Sequence, residues 1–192
     1  MARLLLLFVT LLAVSCTINN IPANYSLDNT TDKGVVVFSI SQSFSGSAYN
    51  WATSYWLDKQ NTKSDGIYDY NFVTPSYMRR KQSDFGEQED LGTVHAIALP
   101  EGEYAFVRWV FGAGLVEYYS ATPLPKLRFT VTSGEITYLG NLHMVLNEQT
   151  HKPKTNPDIR NYFPRDSKVF EQKWPHLRGE LKLQLLPQGR WE

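Results

Sequence analysis

Apolar and polar side chains alternate along residues 92–146, and turn-forming residues cut the run into short lengths. A period of two belongs to a strand, whose successive side chains point to opposite faces, and a helix of period 3.6 cannot satisfy it. Leu127, Phe129 and Val131 alternate with Arg128, Thr130 and Thr132, the pattern of a half-buried strand. Ile136, Tyr138, Leu142, Met144 and Leu146 continue an apolar face, with Gly140 where a bulge would sit. Pro100-Glu101-Gly102 predicts a tight turn, because Pro presets φ and Gly is free to adopt positive φ. It would join partner strands over residues 93–99 and 103–111. Gly112-Ala113-Gly114 and Ser133-Gly134 predict further reversals. Short strands with turns at this spacing predict an all-β fold, an antiparallel β-sandwich of about seven to nine strands.

The flanking regions fit that frame. Val35 to Ile40 is continuous and mostly β-branched, as a buried strand should be. Over residues 49–57, Tyr49, Trp51, Tyr55 and Leu57 share one face, and Trp56 points to the polar side. Tyr70 and Phe72 lie opposite Asp69 and Asn71 in a third strand, after an Asp65-Gly66 hairpin turn. Residues 75–91 form a long polar connection carrying Arg79, Arg80 and Lys81, then Glu87, Glu89 and Asp90. Near the end, Asp166 is placed to cap a short C-terminal helix bearing Val169, Phe170 and Trp174, which Pro175 stops. That helix should pack over one edge or end of the sandwich. Leu181, Leu183 and Leu185 alternate with Lys182 and Gln184 in a last strand.

Nothing covalent can hold this fold together. Cys16 is the single cysteine of 192 residues, so disulfides are excluded and an apolar core must supply the stability. Arg3, an apolar run over residues 4–12 and small residues before Cys16 have the form of a secretory signal peptide. The run is too short to span a bilayer, which takes about 20 apolar residues. Ala13-Val14-Ser15-Cys16 resembles the lipobox of bacterial lipoproteins, with Ala13 where Leu is commonest. The resemblance implies cleavage before Cys16, diacylglycerol on its sulfur and a further acyl chain on the new amine. Each buried CH₂ is worth about 0.8 kcal/mol, so two or three such chains anchor durably. Thr17 in place of aspartate favours the outer membrane, facing the periplasm. The expected organisation is a signal peptide over 1–15, a flexible polar tether over 16–33 and the β-sandwich domain over 34–192.

A second resemblance lies in Leu99-Pro100-Glu101-Gly102-Glu103-Tyr104, Phe129-Thr130-Val131 and the stretch from Gly134 to Gly140. These residues resemble a pattern in uncharacterised bacterial lipoproteins, and similar turns occur in transthyretin-like and carboxypeptidase-regulatory-like β-sandwiches. The resemblance implies a fold and brings no catalytic residues with it.

Chemistry-bearing motifs are scarce. His95, His143, His151 and His176 show no metal-ligand spacing, so no metal or other cofactor is expected. Gly112-Ala113-Gly114 fails as a dinucleotide fingerprint, because Glu117 stands at the third glycine position. No nucleophile elbow exists and no catalytic residue is assigned. Lys plus Arg and Asp plus Glu balance at 19 each, which gives no field for nucleic acid. Aromatic residues make up 14% of the chain. Trp51, Trp56, Tyr68, Tyr70 and Trp109 either fill the core or form a stacking surface. Trp56, with Arg79 and Arg80, is the binding surface the pattern favours. The expected protein is a non-catalytic lipoprotein, held to the membrane through lipid on Cys16, that binds an envelope protein. The alternative is a module that binds glycans or small ligands through exposed aromatics.

Overall fold

The computed structural model describes residues 20–27, 32–43, 51–61, 70–85, 90–113, 116–119, 123–147, 149–150 and 152–192. Cys16, Asp65-Gly66, Tyr68 and His151 lie outside them. The described chain runs β1 (Lys33–Ser43), β2 (Ala52–Lys59), β3 (Tyr70–Val73), a 3-10 segment (Tyr77–Gln82), β4 (Asp90–Pro100), β5 (Gly102–Ala113) and β6 (Val116–Tyr119). It continues through β7 (Leu127–Val131), β8 (Ile136–Met144), β9 (Asp158–Arg160), α1 (Phe163–Lys173), β10 (Leu181–Leu183) and β11 (Gly189–Arg190). The fold is an all-β sandwich with a short helix. A six-stranded sheet has the order β11-β9-β8-β1-β4, with β10 also on β8. A five-stranded sheet has the order β3-β2-β5-β6, with β7 also on β5.

Between the sheets lie Val36, Phe38, Ile40, Ile97, Leu99 and Met144 from one side and Tyr55, Leu57, Phe72, Phe106, Phe111 and Phe129 from the other. Phe38 meets Phe72 edge-on at 4.8 Å and Phe106 at 5.2 Å between ring centroids. The outer face of the six-stranded sheet is covered as well. There Val35, Val37, Val94, Ala96, Ile136 and Tyr138 pack with Phe170, Trp174 and Leu177. Burial on both faces explains why β1 is apolar at every position from Val35 to Phe38 instead of alternating.

Several sequence expectations are revised. The strands flanking Pro100-Glu101-Gly102 do not pair with each other. β4 pairs β1, and β5 pairs β2 in the opposite sheet. Ser133-Gly134 likewise carries the chain from β7, on β5, to β8, on β1. Both turns arch between sheets, because turn chemistry specifies a reversal but not the partner. The sandwich is also not wholly antiparallel: β8 runs parallel to β1 and to β10. The bulge at Gly140 is present, with the β1–β8 register shifting between Val37 and Ser39. Gly140 has φ +113°, and a Cβ there would stand 3.1 Å from Arg160 O.

The helix lies on the outer face of the six-stranded sheet, against the edge strand β4 and its neighbour β1. Pro164 occupies the first turn, Tyr162 is the N-cap, and no side chain caps the helix. Asp166 is therefore not a cap. It is fully buried in the first turn and turns towards the sheet. Over residues 20–27 the expected flexible tether is corrected too. The Ile21 amide donates to Ala96 O at 2.9 Å, Asn20 Oδ1 accepts from the Ala96 amide at 3.1 Å, and Trp174 Nε1 donates to Ile21 O at 2.8 Å. These bonds occupy the outer edge of β4, which would otherwise offer unpaired backbone groups.

Candidate functional site

An open groove of about 610 Å³ lies at the opposite edge of the molecule, between the rims of the two sheets. Trp109 of β5, Tyr118 and Tyr119 of β6 and the segment Pro123, Leu124, Pro125 form one wall. Pro153 to Asn156, together with Arg190 and Glu192, form the other. Chain connectivity builds this shape. β6 ends in a proline-punctuated crossing to β7, and Pro fixes φ without a donor, so the wall is stiff. The facing loop is clamped to the end of β8 by Asn147 N–H to Lys152 O at 2.8 Å and Lys154 N–H to Val145 O at 2.9 Å. Trp191, 1% exposed, ties the walls together. Its indole donates to Pro125 O at 2.7 Å and its amide to Pro157 O at 2.9 Å.

The rings differ in role. Trp109 is only 4% exposed, while Tyr119 is 62% exposed and free to meet a ligand. Tyr118 is half-buried, 5.8 Å from the Trp51 ring, with Lys152 Nζ 5.3 Å above its own. At the rim, Arg190 donates to Glu192 Oε1 at 3.1 Å, so the two charges largely cancel. Below the groove, Trp109 Nε1 and the Tyr55 hydroxyl are buried without a hydrogen-bond partner among the described residues, and the two residues are directly opposite on β5 and β2. Burial raises the Tyr55 hydroxyl well above its ordinary pKa, and the Asp158 carboxylate adds to the rise. Tyr55 is thus a neutral phenol. Leaving such donors unpaired costs about 1–3 kcal/mol each, which makes this the least satisfied part of the core.

The residues expected to form the binding surface are elsewhere. Trp56 is half-buried on the outer face of β2, and the Arg108 guanidinium sits 5.3 Å from its ring. Arg79 is exposed in the 3-10 segment. The side chain of Arg80 lies outside the described residues. Neither Trp56 nor Arg79 lines the groove. Of the aromatic set, Trp109 does line it, and Trp51 and Tyr70 pack against the main core. Tyr118 and Tyr119 were not singled out from sequence. Two adjacent rings on one strand must point to opposite faces, so one of them was bound to leave the core.

A buried polar strip on the outer face of the six-stranded sheet also contains reactive residue types. Ser41 Oγ lies 2.8 Å from His143 Nδ1, and His143 Nε2 lies 3.7 Å from Asp90 Oδ1. A nucleophile must be reachable, yet Ser41 is fully buried and also donates to Asn141 Oδ1 at 3.1 Å. Burial, with the Arg160 and Arg165 charges, holds His143 down to about 3. The imidazole is therefore neutral at pH 7, and its contact with Asp90 is not an ion pair. His95, set between the Phe38 and Phe72 rings, is likewise held down to about 3 by burial, with a smaller contribution from Lys173. Beside this strip the Asp166 carboxylate accepts from Ser39 at 2.5 Å, Tyr138 at 2.6 Å and Arg165 at 2.8 Å. Three donors leave this buried carboxylate well paired where it is. Among the described residues no group of three or more His, Cys, Asp or Glu gathers as a metal site, and no helix is long and apolar enough to cross a membrane.

No protein-family model and no curated protein matches the chain. Among solved structures, a leucine-rich repeat protein from Bacteroides thetaiotaomicron is similar at 15% identity with a TM-score of 0.31. The match covers 59% of this chain and 14% of that one.

Proposed function

We propose that the protein is a lipid-anchored, non-catalytic component of a bacterial envelope, attached through Cys16, whose sandwich holds a ligand in the groove between Tyr119 and Asn156. The groove itself carries the reading. It is concave, ring-lined and rimmed by a few polar groups, as binding sites are, and Tyr119 stands exposed in its wall. The position is apt for an anchored protein. Residues 20–21 run along β4, one edge of the six-stranded sheet, while Arg190 belongs to β11 at the other. A chain tethered before residue 20 therefore presents the groove on the side away from its attachment.

Two measurements in intact cells test this. Replacing Tyr119 with a photo-crosslinking amino acid should trap one envelope component. The same probe at Leu183, which is 57% exposed on β10, should not. Equal labelling at both sites, or none at Tyr119, would refute the groove as the binding site. Separately, Cys16→Ala should abolish incorporation of labelled palmitate and release the protein from the membrane fraction. Unchanged fractionation would refute the anchor.

A further inference from the structure

We infer that the ligand of this groove is a short saccharide, stacked on the Tyr119 ring and hydrogen-bonded along the rim by Thr155, Asn156, Arg190 and Glu192. The inference rests on the groove being a binding site and names what fills it.

Size decides first. A cleft of about 610 Å³ falls in the size range of small-molecule sites. Chemistry decides next. A pyranose ring has a flat C–H face, which suits an exposed phenol ring, and a circumference of hydroxyls that each donate and accept. The groove divides in the same way. One wall offers Tyr119, Tyr118, Pro123 and Pro125, with Pro153 facing them. The other offers a hydroxyl, an amide, a guanidinium, an ammonium and a carboxylate, which together supply both donors and acceptors. A proline-rich peptide would use the rings and the rim's donors but, lacking most amide N–H groups, would leave the rim's acceptors unmet. Charge comes last. Arg190 and Glu192 pair with each other at 3.1 Å, which leaves Lys154 as the other charged residue of the lining, and its ammonium can donate to a sugar hydroxyl as readily as to an anion.

The test is titration of the full chain in detergent with N-acetylchitotriose, cellotriose and maltotriose, followed by tryptophan fluorescence and calorimetry. At least one trisaccharide should saturate. Tyr119→Ala should weaken it by about tenfold or more, and Tyr119→Phe, which keeps the ring, should not. Trp56→Ala should leave binding unchanged. Tyr119 is exposed, so these variants fold, and far-UV circular dichroism checks that they do. The saccharide assignment is overturned if no trisaccharide saturates, if Tyr119→Ala binds like wild type, or if a proline-rich peptide binds in place of the sugars. The two readings fail separately. A Tyr119 crosslink in cells without saccharide binding leaves the groove standing and removes the sugar; failure of both removes the groove.

Discussion

Acidifying the protein from pH 7 to pH 5 should destabilise it through His143, by an amount the structure sets. His143 is 2% exposed and held down to about 3 from 6.5, chiefly by burial. Its folded-state pKa is depressed, so between those values the unfolded chain binds the extra proton and the folded chain does not. The stability is present in full above pH 6.5 and is lost as pH falls towards 3. At pH 5 the unfolded imidazole is almost wholly protonated, and the difference amounts to about 2 kcal/mol, from 1.36 kcal/mol per pKa unit. For a domain of this size that is about 4–8 °C in Tm. Asp90, 3.7 Å from Nε2, would attract the cation and trim the figure. Ser41 and Ser43 face the ring without charge. The assay is denaturant unfolding of wild type and His143→Gln at both pH values. Gln does not titrate, so whatever it costs at pH 7, the gap between variant and wild type should move by about 2 kcal/mol in the variant's favour at pH 5. If both lose stability in parallel, within about 0.5 kcal/mol, the reasoning about His143 is wrong.

Other substitutions test other parts of the structure. Gly92→Ala should destabilise strongly, because a Cβ there would stand 2.3 Å from the Phe85 ring and 2.5 Å from Ile40 O; a Tm within a degree or two of wild type would show that the Phe85 segment is not seated as described. Asp166→Ala should cost about 3–5 kcal/mol by stranding Arg165 beside a buried hydroxyl pair, whereas Tyr138→Phe, which removes one bond to the same carboxylate, should cost only about 1.5–3 kcal/mol. Trp191→Ala should cost about 3–5 kcal/mol in denaturant unfolding and loosen the groove, since the Trp191 indole bonds Pro125 O at 2.7 Å. Wild-type stability in that variant would mean the C-terminal residues do not brace the walls.

Alternation and turn chemistry made the strands over residues 93–99, 103–111, 127–131 and 136–144 legible, because period two and turn residues are local properties. Partner choice was not legible. Residues 103–111 read as the partner of 93–99, yet Leu99 faces Gly34 and Tyr104 faces Lys59, in different sheets. Asp166 read as a helix cap because its side chain can serve a helix start. Only packing shows it serving Ser39, which is 127 positions away. The groove was legible in part. Trp109 stood out by type, while Tyr118 and Tyr119 looked like ordinary strand residues. Arg190 and Glu192 lie at the far end of the chain from them, so no local pattern could join the two.

The sequence by itself determined the strands, the turns, the bulge at Gly140 and the dependence on an apolar core, since each follows from the local period, from φ or from the absence of a second cysteine. Tertiary structure alone decided which strands share a sheet and that residues 20–27 and α1 cover the outer face. It alone brought β6, the loop before β9 and the C-terminus around one groove. Those outcomes depend on which apolar faces find each other across long stretches of chain. Many pairings satisfy the same alternation, and the one adopted buries both faces of β1.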